Sequence, residues 1–253
     1  MRTGIRHRRQ ADRGMTLVEL MLALALSAIL LTGLVQVVSG ATGSARLQDE
    51  QAQLQENARY AIGLLSRHIR QAGFNPEPWN PDRFLGAFTA ETADNVSAGG
   101  DRLALQSWSD RNCFENLNPV ADAGGRPAFF LRRSVFDLNT SKNLAHSCSY
   151  GPSAAELTVQ IRREGHLPGV ESFQLLFGED RDGDMQVDRW VRAGEWADEM
   201  AIRGVRVGML LSGSAAVLEP ETREYRILDT TRRAPADRRL RRAVEFTVAS
   251  RLQ

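Results

Sequence analysis

The stretch Arg13–Val38, RGMTLVELMLALALSAILLTGLVQVV, decides how the rest of this chain is read. It is apolar over more than the ~20 residues a helix needs to cross a bilayer. It follows a short basic segment, and it carries one carboxylate, Glu19, near its start. An acid inside such a run costs about 2.5–3.5 kcal/mol at mid-membrane on insertion scales, so its presence asks for a reason. A cleaved secretory signal would use Met15–Val38 as its apolar region and cut near Ser39-Gly40-Ala41. Against that, the run exceeds the ~7–15 apolar residues of such signals, and it contains an acid. A plain membrane anchor would leave Glu19 merely tolerated near the interface.

A third reading accounts for more. Arg13-Gly14-Met15-Thr16-Leu17-Val18-Glu19 resembles the processing site of type IV prepilins: a glycine, a hydrophobic residue, Thr-Leu-Val, then Glu. The resemblance implies that a prepilin peptidase cuts after Gly14 and methylates the new amine of Met15. Glu19 lies four residues later, one helical turn along on the same face. When such helices pack side by side, the carboxylate of one meets the ammonium of its neighbour. That ion pair fixes axial register in a medium where either charge alone is costly. The family usually has Phe where Met15 stands; Met is also apolar, and adaptable.

At 253 residues, 25% charged and 42% hydrophobic, the chain has room for one membrane helix and one ordinary globular domain. Its charge of +1 is unevenly spread. Arg2, Arg6, Arg8, Arg9 and Arg13 against Asp12 give residues 1–14 a net +4, leaving −3 for the mature chain. A basic leader stays on the cytoplasmic side, so the domain is expected outside the inner membrane, in an oxidising compartment.

Beyond Val38, Ser39–Ser44 is small and weakly helix-forming, and Ala45–Ala72 places Leu47, Leu54, Ala58, Ala61/Ile62, Leu65 and Ile69 close to a 3.6 period. Gly73 is a candidate C-cap, with Pro76 and Pro78 blocking continuation. A helix continuous from Met15 to Ala72 would be about 85 Å long. Gly33, Gly40 and Gly43 would each weaken it by about 1 kcal/mol relative to Ala. The segment Leu54–Phe74, LQENARYAIGLLSRHIRQAGF, is similar to the stalk of PilW-type minor pilins, relatives of the J-type pseudopilins of type II secretion.

From Phe84 onward, short apolar runs alternate with turn-rich pieces, the pattern of antiparallel strands. Strands are expected near Arg102–Trp108, Ala128–Phe136, Glu156–Arg162, Val170–Phe177, Gln186–Val191, Arg203–Leu211, Glu224–Leu228 and Ala243–Ala249, with Asn75–Ala98 as loop. Alternating Phe173, Leu175 and Phe177 would cover the helix. The expected organisation is a leader (1–14), a transmembrane or filament-core helix (15–38), an amphipathic stalk helix (39–74) and a β-rich domain (75–253). The fold class is α+β, a long N-terminal helix packed on an antiparallel sheet.

Cys113 and Cys148, in turn-rich surroundings, are the only cysteines, and an even pair in an exported domain favours a disulfide. Two buried thiols, or zinc with His146, are the alternatives. Asp180, Asp182, Asp184 and Asp188 surround Gly183 in a pattern resembling a calcium loop. The glycine falls at position 4 instead of 6, and Val191 stands where an EF-hand has Glu. A bare hairpin turn at Asp182-Gly183 explains the same residues, so no cofactor is required and calcium is an option.

Arg223, Arg226, Arg232, Arg233, Arg238, Arg239, Arg241 and Arg242 form a basic C-terminal stretch, but interspersed acids and sparse aromatics argue against nucleic acid as a partner. His7, His68, His146 and His166 are scattered, and no nucleophile-elbow, phosphate-loop or zinc-helix motif appears, so no enzyme is expected. The resemblance implies a minor pilin that primes pilus assembly and sits at or near the tip. Its partners would be other minor and major pilins through the N-terminal helix, the prepilin peptidase, and a tip adhesin. It would start in the inner membrane, N-terminus cytoplasmic and domain periplasmic. A type II secretion pseudopilin is the related alternative, and a membrane-anchored periplasmic ligand-binding domain the unrelated one.

Overall fold

The structure is a computed structural model that describes residues 15–97 and 99–250. The chain divides into two compact units, Met1–Gln48 and Asp49–Gln253. One helix, α1 (Leu17–Gln71), has residues in both. Gly33, Gly40 and Gly43 lie within it with open space where a Cβ would go, and they do not break it. The helix stops where Gly73 turns to φ +74° and its amide donates to the Gln106 carbonyl at 2.8 Å. A left-handed backbone at this position is cheapest for glycine.

In the first unit the described helical residues are exposed, Leu47 alone being half-covered. In the second unit α1 buries a stripe of Glu50, Leu54, Ala58, Ala61, Leu65 and Ile69. The spacing of 4, 4, 3, 4 and 4 keeps these side chains on one face. The stripe thus starts on a carboxylate.

The strands are β1 (Ala93–Ser97), β2 (Gly100–Ser109), β3 (Phe130–Leu138), β4 (Leu144–Gly151), β5 (Thr158–Leu167), β6 (Val170–Glu179), β7 (Arg189–Val191), β8 (Ile202–Ala216), β9 (Arg223–Ile227), β10 (Thr230–Ala234) and β11 (Arg239–Ala249). Nine form one sheet along the path β11-β8-β6-β2-β3-β4-β5, with β1 added on β2 and β7 on β6; β9 and β10 form a separate hairpin. Phe136, Phe173, Leu175, Phe177, Val205, Val207 and Met209 join the helix stripe in one core. On the other face of β8, Ile227 and Leu228 of the hairpin occupy the space a Cβ on Gly208 would take, at 2.6 and 2.7 Å.

Three points bear on the expectations. The expected long helix on an antiparallel sheet is present, with one parallel junction: β2 meets β6 at Gly100↔Phe173. Side chains reinforce that junction. Asp101 accepts from the Leu175 and Asn95 amides at 2.7 and 2.9 Å, and Gln174 donates to the Gly99 carbonyl at 3.1 Å. Second, Asn75–Ala98 is not all loop, since β1 lies within it, and β4 and β10 were also unforeseen. Third, β7 starts at Arg189 rather than Gln186, because Gln186–Asp188 complete the acidic loop.

Candidate assembly helix and candidate ligand sites

In α1, no charged residue occurs between Glu19 and Arg46, and the helix is long and apolar enough to cross a membrane. Two hydroxyls of its apolar stretch bond back within the helix: Ser27 donates to the Ala23 carbonyl at 2.7 Å, and Thr32 to the Ala28 carbonyl. Such back-bonding suits a helix in a medium without water. Gly14 lies outside the described residues; Met15 and Thr16 precede the first helical residue, Leu17.

Glu19 sits in the first turn. One of its oxygens, Oε2, accepts from the Thr16 amide at 2.9 Å and the Thr16 hydroxyl at 3.0 Å, while the Glu19 amide donates back to the hydroxyl at 3.3 Å. This is a capping box, Thr at the N-cap and Glu at the third helical position. Thr-x-x-Glu ahead of an apolar run signals it in the sequence, and Thr16 was the partner that sequence reasoning missed. The carboxylate is thereby held at the N-terminal end of the helix, beside the chain that precedes it.

The second carboxylate of the helix that matters is Glu50, 7% exposed. It accepts from the Ser214 amide and hydroxyl at 3.0 and 2.9 Å and from the Ala215 amide at 3.2 Å. A buried carboxylate needs such donors, and here they come from the far end of β8.

Cys113 and Cys148 are joined in a disulfide, Cα–Cα 5.9 Å, which ties the loop after β2 to β4. Both sulfurs are used, so neither remains for zinc.

The acidic loop joins β6 to β7. Carboxylate oxygens of Asp180, Asp182 and Asp188 lie within 4.8 Å of one another, a spacing that could hold a cation; Asp184 is not in this group. Asp180 is already engaged, however. It accepts from Arg203 at 2.8 Å and from the amides of Gly183 and Met185 at 2.7 and 3.0 Å. The Arg203 guanidinium, more than any other neighbour, holds its carboxyl below the usual range. Asp188 accepts from the Arg181 amide at 2.6 Å, and Asp184 from the amide and side chain of Gln186. As built, the carboxylates close the turn on themselves.

Five of the eight C-terminal arginines are engaged inside the domain. Arg241 pairs with Glu171 and Asp237 at 2.7 and 2.6 Å, and Arg223 with Glu221 at 2.7 Å. Arg226, Arg232 and Arg238 donate to the carbonyls of Leu228, Gly99 and Leu218. Among the described residues the histidines are not scattered in space: His68, His146 and His166 come together, while His7 lies outside the described residues.

Comparison with known proteins bears on both ends of the chain. A family described as Type IV Pilus-assembly protein W matches residues 156–251, and the prokaryotic N-terminal methylation motif matches residues 9–35. Among solved structures, a type IV-like pilin from Thermus thermophilus is similar at 17% identity and TM-score 0.47, over 78% of this chain and 96% of that one. No curated protein matches significantly. With the methylation motif at the start of the Glu19 helix and the pilus-assembly match across β5–β11, the chain is similar at both ends to PilW-type type IV minor pilins.

Proposed function

We propose that this chain is a minor pilin held in the inner membrane by the first part of α1, domain on the periplasmic side, and that it primes pilus assembly and ends at or near the tip. Cleavage after Gly14 exposes the Met15 amine. Glu19 of one subunit then meets that amine on the next, and apolar helix packing supplies the cohesion. Other minor and major pilins are the partners through this helix, the prepilin peptidase acts on the leader, and an adhesin adds at the tip. The observation that carries the reading is an apolar helical stretch with none of its membrane-length window buried, holding a single carboxylate in its first turn. The basic leader supports the orientation. Priming and tip position follow from the family resemblance. Mass spectrometry of the protein purified from its own host tests the processing. The expected N-terminus is Met15 carrying one methyl group; a chain starting at Met1 or beyond Ala41 would overturn the reading.

In this reading the acidic loop is a turn that works without an ion, because Arg203 already supplies the cation that Asp180 needs. Calorimetric titration with millimolar calcium should give no binding heat; a saturable heat that Asp182→Asn abolishes would make it a calcium site.

A further inference from the structure

Three histidines remote from one another in the sequence meet at one seam of the domain: His68 near the end of α1, His146 on β4 and His166 on β5. The ring centroids of His68 and His146 are 5.2 Å apart, and those of His146 and His166 5.4 Å. Phe136 of β3 stacks on His146 at 4.5 Å and meets His68 edge-on at 5.0 Å. His146 is only 6% exposed, and the Nε2 atoms of His146 and His166 are buried without a hydrogen-bond partner. The three rings do not present nitrogens as a converging metal-ligand set; among the described residues that set is Asp180, Asp182 and Asp188.

The charges that act most strongly on the cluster are positive. Arg132 of β3 acts on both His68 and His146, and Arg67 of α1 acts on His68. Arg132 is held by Glu115 and Gln71 at 3.0 and 2.9 Å. The nearby acids are committed elsewhere or solvated. Asp137 of β3 takes Arg102 and Arg163, and Glu164 of β5, the register partner of His146, is exposed. A proton arriving on His68 or His146 would therefore be a buried charge beside other cations, with no carboxylate to receive it.

We propose that His68 and His146 form an acid-sensitive latch, which holds the last turns of α1 on β3–β5 while these two imidazoles are neutral and lets them go when protonated. Burial, aided by the neighbouring rings and Arg132, holds His68 at about 3 and His146 at about 4, against an ordinary 6.5. The opened seam takes up protons near 6.5, and the closed one only near 3 to 4. The latch is thus fully closed above the ordinary value and weakens as pH falls below it. Each imidazole shifts the equilibrium by up to about tenfold per pH unit in that window, and two by about a hundredfold. Asp101 on β2, raised to about 6 by burial, titrates in the opposite sense: its contribution is present in acid and lost as pH rises through that value. It is unchanged in all the variants used below, so it cancels in their comparison with the wild type.

The test is hydrogen exchange on the full-length protein in detergent, corrected for intrinsic rates, at pH about 7 and about 4.5. Peptides from 62–72, 131–138 and 144–151 should lose protection in acid by up to about a hundredfold per pH unit, ahead of peptides from β6 and β8. The double variant His68→Gln/His146→Gln should lack this extra loss. Unchanged protection of the seam in acid, or equal loss in the double variant, would overturn the latch. Should the variant not fold, the wild type alone decides, since loss spread uniformly over the domain also overturns it.

Discussion

Two glutamates on one helix carry the contrast on which this protein is built. Glu19 stands in a stretch that buries nothing within the described chain, and its hydrogen bonds are local, to Thr16. Glu50 opens the stripe that packs into the domain, and its donors come from Ser214 and Ala215, some 164 residues away in sequence. Helix propensity does not separate the two regions, since α1 is continuous through both. What separates them is the pattern of apolar residues: all-round from Leu17 to Val38, one-sided from Leu54 to Ile69. A helix apolar on every side must find its partners in lipid or in other helices, whereas a one-sided helix finds them in its own domain. In the reading proposed above, the first stretch serves assembly and the second serves folding.

Substitutions paired across the two regions can break this contrast. Leu65 is fully buried, and Leu65→Ala should destabilise the domain by about 2–5 kcal/mol in denaturant titration. Leu31 is exposed, and Leu31→Ala should leave domain stability within about 0.5 kcal/mol. Equal effects would show that the first stretch has a folding role. Replacing Cys113 and Cys148 together by Ser should cost about 2–4 kcal/mol through the opened 35-residue loop, with membrane insertion unchanged. Glu50→Ala leaves three donors without their acceptor, and should cost about 1–3 kcal/mol. Glu19→Ala should leave domain stability unchanged within about 0.5 kcal/mol.

The smallest effect expected is a pH component from Asp237. Arg241 beside it holds its carboxyl down at about 2, against 3.8 ordinarily. A depressed acid contributes stability that is present above its ordinary value and is lost as pH falls through the depressed one. Acid unfolding of Asp237→Asn should lack that component between about 4 and about 2, and an unchanged acid profile would show that the pair contributes nothing.

Much of this molecule is legible in its sequence because the signals are local. The apolar run, Glu19, the stripe spacing and Gly73 with its following prolines fix α1 from neighbours a turn apart. Alternation likewise marks β6 through Phe173, Leu175 and Phe177, all buried. What escapes is set by distant partners. β4, LAHSCSYG, has the composition of a turn, yet it is a strand because it lies between β3 and β5 and turns His146, Cys148 and Tyr150 inward. The polar β1 and the Thr- and Arg-rich β10 are strands only because β2 and β9 pair with them. The parallel bridge at Gly100, the docking of Glu50 on β8 and the meeting of three histidines depend on the tertiary fold. Of the acidic loop, the sequence shows the carboxylates but not Arg203, which comes from β8 and occupies Asp180.

The division of labour along α1 is tested most directly by measuring Glu19→Ala and Glu50→Gln side by side, as membrane level and as amount recovered in sheared pili. The account predicts that Glu19→Ala reaches the membrane at the wild-type level and is missing from filaments, while Glu50→Gln that reaches the membrane is still incorporated. Wild-type incorporation of Glu19→Ala would contradict it.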